Sequence, residues 1–405
     1  MKQLLKIVLM VVMLQVACKV SAQWVPQTSG AANSILTDVV FLNKDTGFVT
    51  GGEVMLKTVN GGTTWTPKAT QLGLEGLFFT DKNTGFAVGL SGKTGNAVMY
   101  KTVDAGTNWS EINFPFHGYF HDVFFLSPTT GFIVGDHGCI FKTVNGGNTW
   151  DSIPSGTRSI LMSVSFTDSL HGLAVGGTFT NSIILKTANG GSSWTTVPIQ
   201  DTTGFLQSIH FPSPLIGYIV GWKGEIFKTT DGGDHWNKQQ AVSNDGNLDV
   251  FFVDDTTGYV VGGNSAFSGI QKTIDGGLTW VAQSSGVNMP FTAVCFINRE
   301  TGFIVGDHGT IIKTINGGST GISGPVNPAK KHVVYPNPFT ESITIHLGDI
   351  EYKSASVKVY DLIGQVVYES KFIESAIDLS VLKSGRYVLV IQQDGETAVE
   401  KITKL

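Results

Sequence analysis

Two short stretches of this chain hold most of the side chains suited to chemistry. The first is Phe116-His-Gly-Tyr-Phe-His121 and the second is Asp136-His137-Gly138. His117, His121, His137 and Asp136 are of the types that ligate a transition metal. Phe116 and Tyr119 are of the types that stack on a sugar or a peptide, and Trp222 joins them. A second Asp-His-Gly run, Asp307-His308-Gly309, argues for a good turn rather than a metal centre, so no metal is assigned. The candidate ligand contacts are therefore Phe116, His117, Tyr119, His121, Asp136, His137, Trp222, Asp307 and His308. Packing beneath loops is the plain alternative for the aromatic ones. The chain has no phosphate-binding Walker loop, zinc-protease helix or Gly-x-Ser-x-Gly elbow, so no catalytic residue and no cofactor is assigned.

These residues must be positioned by repeats. Lys-Thr before a Gly-rich turn recurs at Lys57, Lys101, Lys142, Lys186, Lys228, Lys272 and Lys313, with spacings of 44, 41, 44, 42, 44 and 41. Upstream lies Gly-aromatic-x-Val-Gly, as in Gly131-Phe-Ile-Val-Gly135, and before that an alternating apolar run such as Asp122-Val-Phe-Phe. Downstream comes a Trp, at 65, 109, 150, 194, 236 and 280. Trp222 is the one tryptophan of residues 30–318 outside this position. Each unit reads as four short strands, in the third unit near 121–126, 131–135, 139–143 and 149–153. Units of ~40–45 residues with four strands are propeller blades, and seven units make an all-β, seven-bladed β-propeller. The seventh unit lacks its Trp, but Trp24-Val-Pro-Gln-Thr-Ser-Gly30 matches Trp280-Val-Ala-Gln-Ser-Ser-Gly286. The N-terminal strand is thus expected to complete the last blade, within a propeller spanning 23–318.

One turn position is held by Asn60, Asp104, Asn145, Asn189, Asp231, Asp275 and Asn316. A short polar side chain there is expected to accept backbone N–H groups one or two residues on. The glycines that follow tolerate positive φ. Thr58-Val-Asn-Gly-Gly-Thr-Thr-Trp65 and its copies resemble the Asp-box, or BNR, repeat. The preceding Lys-Thr is typical of propellers similar to the photosystem II stability/assembly factor family. That resemblance implies the fold and says little about function, since the box occurs in enzymes and non-enzymes. It implies a structural role for the seven box residues.

The mature chain is expected to be exported. Lys2 and Lys6 precede an apolar run from Ile7 to Val16, and Val20-Ser21-Ala22 suits signal peptidase, giving a signal over 1–22. A lipoprotein reading would use Cys18, against which Gln15 stands where Leu is normal. No other segment has ~20 continuous apolar residues, so no integral membrane segment is expected once the signal is removed. Loss of Lys2, Lys6 and Lys19 would take the net charge from −5 to −8, which argues against a nucleic-acid partner. Cys139 and Cys295 fall too far apart in the repeat scheme for a disulfide and are expected as buried thiols.

Composition changes after Gly318. Residues 319–332 form a linker of turn formers, and 333–405 carries short alternating strands expected to form a small Ig-like β-sandwich. Tyr335-Pro-Asn-Pro-Phe339, Val359-Tyr-Asp-Leu-Ile-Gly-Gln-Val-Val367, Leu382-Lys-Ser-Gly-Arg-Tyr-Val-Leu389 and Lys401-Ile-Thr-Lys-Leu405 resemble the type A sorting domain of type IX secretion cargo in Bacteroidetes-like bacteria. The resemblance implies the secretion machinery as a partner, and an extracellular or outer-membrane-surface location reached through the periplasm.

A sialidase needs three arginines around a carboxylate. This chain has only Arg158, Arg299 and Arg386, the last in the C-terminal domain. For the same reason a role in photosystem assembly does not carry over. From the Gly opening strand two to the repeat Lys the distances are 10, 16, 11, 14, 11, 14 and 11. Long loops thus fall on blades two, four and six, either as a rim around a pocket or as drift. The expected function is a secreted, non-enzymatic scaffold for a glycan or protein ligand. The alternative is a secreted glycosidase.

Overall fold

The computed structural model describes residues 24–318 apart from 113, 115, 201, 203, 244, 265 and 266, and in the C-terminal region 333–335, 338–346, 355–361, 365–370, 376–393 and 396–405. The expected export signal with Cys18 and the linker 319–332 lie outside the described residues. The chain divides into two compact units, one over residues 22–320 and one holding 321–405.

The first unit is a seven-bladed propeller. Blade 3 runs Phe120–Phe125, Gly131–Gly135, Ile140–Thr143 and Asp151–Ile153, paired antiparallel in that order. Its second strand is buried throughout, because neighbouring blades cover both faces, and it reads accordingly as an unbroken apolar run. The hydrophobic clusters lie between blades. One joins Phe132, Val134 and Ile140 of blade 3 to Leu161, Val164 and Phe166 of blade 4. Blades 1 and 2 depart from the pattern. Thr66–Phe79 pairs first with Gly47–Thr58 and then with Gly85–Ser91, so the two blades share one six-stranded sheet.

The ring closes through the N-terminal strand. Val25–Gln27 is the outermost strand of blade 7, with Val25 opposite Lys313 and Gln27 opposite Ile311. Trp24 is 1% exposed. It meets Phe296 and Tyr259 edge to face at 5.9 and 6.3 Å, and its indole N–H donates to Gln283 Oε1 at 3.1 Å.

The repeat lysines tie each blade to the next. Lys57, Lys101, Lys142, Lys228, Lys272 and Lys313 each donate from Nζ to a box carbonyl of the following blade, those of Ala105, Gly146, Gly190, Gly276, Gly317 and Gly61, at 2.6–2.7 Å. Each ammonium also sits 5.3–5.7 Å from an aromatic ring of its own blade, such as Phe86 under Lys101. At five of these six junctions that ring is what the second box glycine packs on: a Cβ at Gly147 would lie 2.6 Å from Phe86. The junction of blades 4 and 5 differs. Leu173 stands where the ring should be, and Lys186 pairs with the Asp234 carboxylate at 2.6 Å.

Within the box the polar side chain reaches further than expected. Asn145 Oδ1 accepts from the N–H groups of Asn148 and Thr149, three and four residues on, at 3.1 and 3.0 Å. Two glycines at φ 69 and 77 curl the chain back over the amide and bring those groups to it. The threonine of Lys-Thr completes the turn: Thr143 Oγ1 donates to Asn145 Oδ1 and accepts from Gly147 N–H. Asn60, Asp104, Asn189, Asp231 and Asp275 accept an N–H four residues on in the same way, and Asn316 takes the hydroxyl of Thr314.

The second unit packs a three-stranded sheet (Val333–Tyr335, Ser342–His346, Ala376–Asp378) and a four-stranded sheet (Val366–Ser370, Ala355–Tyr360, Gly385–Gln393, Glu396–Lys404). Phe339, Ile343, Ile345, Val357, Leu389 and Ile402 belong to its core. Cys139 and Cys295 are free thiols, only partly shielded rather than fully buried. Desolvation pushes both thiols up to about 12.

Candidate functional site

The boxes and the first-to-second strand turns share one face, called lower here; Gly146 N–H, for example, donates to Thr129 O. The upper face is formed by the turns between strands two and three and by the segments leading into the inner strands. All nine candidate contacts fall there, but the structure separates them into three groups.

The first group is at blade 3. His121 Nε2 lies 3.1 Å from Asp136 Oδ1, and Asp136 Oδ2 accepts the Tyr119 N–H at 3.0 Å. Tyr119 stacks on His121 with centroids 5.8 Å apart. With the proton on Nε2 the imidazole satisfies Asp136, and Nδ1 then faces a buried position with no hydrogen-bond partner. Phe116 is largely packing: it stacks on Phe120 at 5.4 Å and meets Phe141 at 5.6 Å. His117 and His137 are exposed and apart from this pair, so the four metal-type residues do not converge. Among the described residues no three His, Cys, Asp or Glu side chains are placed to share a metal ion.

The second group is at blade 5. Trp222 is not part of a platform with Phe116 and Tyr119. It forms a trio with Phe179 and Phe205, at 5.2 and 5.9 Å, with Phe179 74% and Trp222 37% exposed. Trp222-Lys223-Gly224 has the same backbone shape as Asp136-His137-Gly138 and Asp307-His308-Gly309, each with its middle residue at φ 55–60. In each the first residue donates its N–H to a carbonyl before the inner strand: Asp136 to Tyr119, Trp222 to Phe205, Asp307 to Pro290. Asp307 and His308, the third group, thus hold in blade 7 the slot that Trp222 holds in blade 5. Phe179 and Phe205 escaped the sequence reading. The signal was Phe179 at the tip of a long hairpin, between Thr178 and Thr180, where turns favour polar residues.

The central channel was also missed. Each inner strand carries a β-bulge at its start, and the bulges line a cavity of about 220 Å³ fed by all seven blades. Three carboxylates just after bulges stitch blades together, with Asp38, Asp122 and Asp249 accepting the N–H groups of Leu77, Val164 and Val294, all at 2.8 Å. Desolvation, with mutual repulsion added, raises Asp38 to about 8. Burial likewise raises Asp249 to about 6 and pushes Asp122 upward. Glu75 at the same mouth is raised chiefly by desolvation and is partly offset by His121.

The family description "Photosynthesis system II assembly factor YCF48" matches residues 101–202, 150–237 and 243–327, more than half of the chain. The chain belongs to the YCF48 family. The description "Secretion system C-terminal sorting domain" matches residues 333–404. Similar solved structures include YCF48 bound to a D1 peptide, with TM-score 0.60 and 19% identity over 73% of this chain and 97% of that one. Another is YCF48 from Cyanidioschyzon merolae, with TM-score 0.59 and 22% identity over 72% and 98%. A third is the GH74 xyloglucanase of Xanthomonas campestris, with TM-score 0.58 and 13% identity; it covers 81% of this chain, which spans 60% of that enzyme. No curated protein matches in sequence. At these identities the likeness establishes the propeller of this YCF48-family chain and leaves its ligand to the site. The sorting domain indicates export by type IX secretion to the cell surface or extracellular space. Among the described residues no helix is long and apolar enough to cross a membrane.

Proposed function

We propose that this chain is a secreted or surface-held binding scaffold, non-enzymatic, whose propeller engages a glycan or protein ligand at the upper rim around Trp222. The observation that carries this reading is the exposed pair Phe179 and Trp222, backed by the buried ring of Phe205. Two large rings left in water on a hairpin tip and an adjacent turn cost solubility and add nothing to the core. Exposed aromatic faces are what pyranose rings and extended peptides stack on. In this reading residues 1–22 are the export signal, 23–318 the working module, 319–332 a linker and 333–405 the address read by the secretion machinery. A secreted glycosidase is the second reading. It draws on Glu75, held toward its protonated form beside Asp136 and His121 at the channel mouth. A glycan array read together with a hydrolysis screen separates the two: binding without sugar release supports the scaffold, and release of sugars overturns it. Truncation at Pro328 is expected to hold the protein within the envelope, and normal appearance in the medium would refute the sorting role.

A further inference from the structure

The shared sheet of blades 1 and 2 creates a cavity of about 480 Å³ that belongs to neither the trio nor the channel. The strand Thr66–Phe79 forms one wall as it passes from blade 1 to blade 2. The hairpin of blade 2, the longest of the seven at 16 residues from Gly85 to Lys101, overhangs it with Ser91, Lys93 and Thr94. Met55 and Leu74, 6% and 1% exposed, make an uncharged floor. Trp109 borders the space and is half-buried, as are Trp150 and Trp236 in the equivalent position. The volume falls within the ~300–1,000 Å³ typical of small-molecule sites.

The charges at the opening set the ligand's sign. Lys68 and Lys93 line it, both exposed, and neither forms an ion pair within 4 Å among the described residues. Glu111, the one acid of the lining, is engaged by the Tyr100 hydroxyl, which donates to Oε2 at 2.8 Å. Lys68 and Lys93 differ in this from the repeat lysines, which are spent on box carbonyls or, for Lys186, on a carboxylate. Glu111 keeps its charge, since its partner is a neutral phenol, so the lining sets two lysines against one carboxylate and is cationic by one charge in a chain of net charge −5.

We propose that this cavity binds a small amphipathic anion, an apolar body seated on Met55, Leu74 and Trp109 with its carboxylate held by Lys68 and Lys93. A free acyl or aryl carboxylate and the apolar C-terminal residue of a peptide share that chemistry. The test is calorimetric titration of the full-length secreted protein with octanoate, octan-1-ol and octylammonium, followed by a short peptide ending in Leu and its C-terminal amide. The expected result is measurable octanoate binding, at least tenfold tighter than either control. The Lys68→Gln/Lys93→Gln pair is expected to lose about that tenfold while leaving octanol unchanged. Ala69→Trp, at an exposed position on the cavity wall, is expected to block every probe without altering the melting temperature. Binding of the peptide acid but not its amide assigns the anion to a chain terminus; octanoate alone assigns it to a free acid. Octanoate binding no better than octanol, or indifferent to Ala69→Trp, overturns the proposal. Neither outcome bears on the Trp222 trio, which lies at blades 4 and 5.

Discussion

On the lower face, six of seven blade junctions are closed by a lysine reaching the next box carbonyl, and at five of these the second box glycine covers the ring beneath the lysine. On the upper face the same backbone turn carries Asp136, Trp222 or Asp307 in its leading position, and alternate blades extend it into hairpins. Repetition is kept where every junction must satisfy the same buried groups and the same close approach. Variation accumulates where the side chains face water and the backbone alone holds the turn. The difference separates what builds the ring from what the ring presents.

The largest expected effect falls on ring closure. Trp24→Ala removes a fully buried ring from blade 7 and is expected to cost about 3–5 kcal/mol, read from denaturant midpoints. An unchanged midpoint would mean that the N-terminal strand is dispensable. The lysine device comes next. Lys142→Met is expected to cost about 1.5–3 kcal/mol, as loss of the charged hydrogen bond to the Gly190 carbonyl, which the hydroxyl-free ring of Phe132 cannot replace. Lys186→Met, which breaks a pair with exposed Asp234, should cost about 0–1 kcal/mol. Equal costs would show that the carbonyl bond is not what holds a junction.

The channel offers a pH test. Asp38 has a folded pKa raised to about 8, above its unfolded value, so folding favours its protonated form. That contribution is complete below the unfolded pKa and is lost as pH rises through about 8. His210 works in the other direction, since burial lowers it to about 4 and protonation of the unfolded chain then costs stability as pH falls below about 6.5. Between about pH 6.5 and 9 the wild-type melting temperature should therefore fall, and Asp38→Asn, which keeps an acceptor for Leu77, should flatten the curve. Parallel curves would place the Asp38 carboxylate in a well-solvated state.

The sequence revealed the seven modules because strand period, turn glycines and box tryptophans are local signals repeated at fixed spacing. The reach of Asn145 to Asn148 and Thr149 was misjudged because it depends on how two left-handed glycines curl the chain. The role of the repeat lysines was invisible because their partners lie about 45–48 residues away, in the next blade. In the C-terminal unit the strands Val333–Tyr335 and Ala376–Asp378 are three residues each, too short to show an alternating pattern. The candidate site was half legible. His121 and Asp136 do meet, but grouping Trp222 with Phe116 treated aromatic character as proximity. Alignment of Trp222-Lys-Gly with Asp136-His-Gly would have placed it in another blade's copy of the same slot.

The most direct test compares the faces. Glycan-array binding should be measured for the wild-type secreted protein, for Phe179→Ala/Trp222→Ala on the upper face, and for Val144→Ala/Ile315→Ala, whose side chains are 63% and 68% exposed on the lower face. Ligand binding at the upper rim predicts at least a tenfold loss for the upper-face pair with an unchanged melting temperature, and wild-type binding for the lower-face pair. Undiminished binding by the upper-face pair, or loss confined to the lower-face pair, would contradict it.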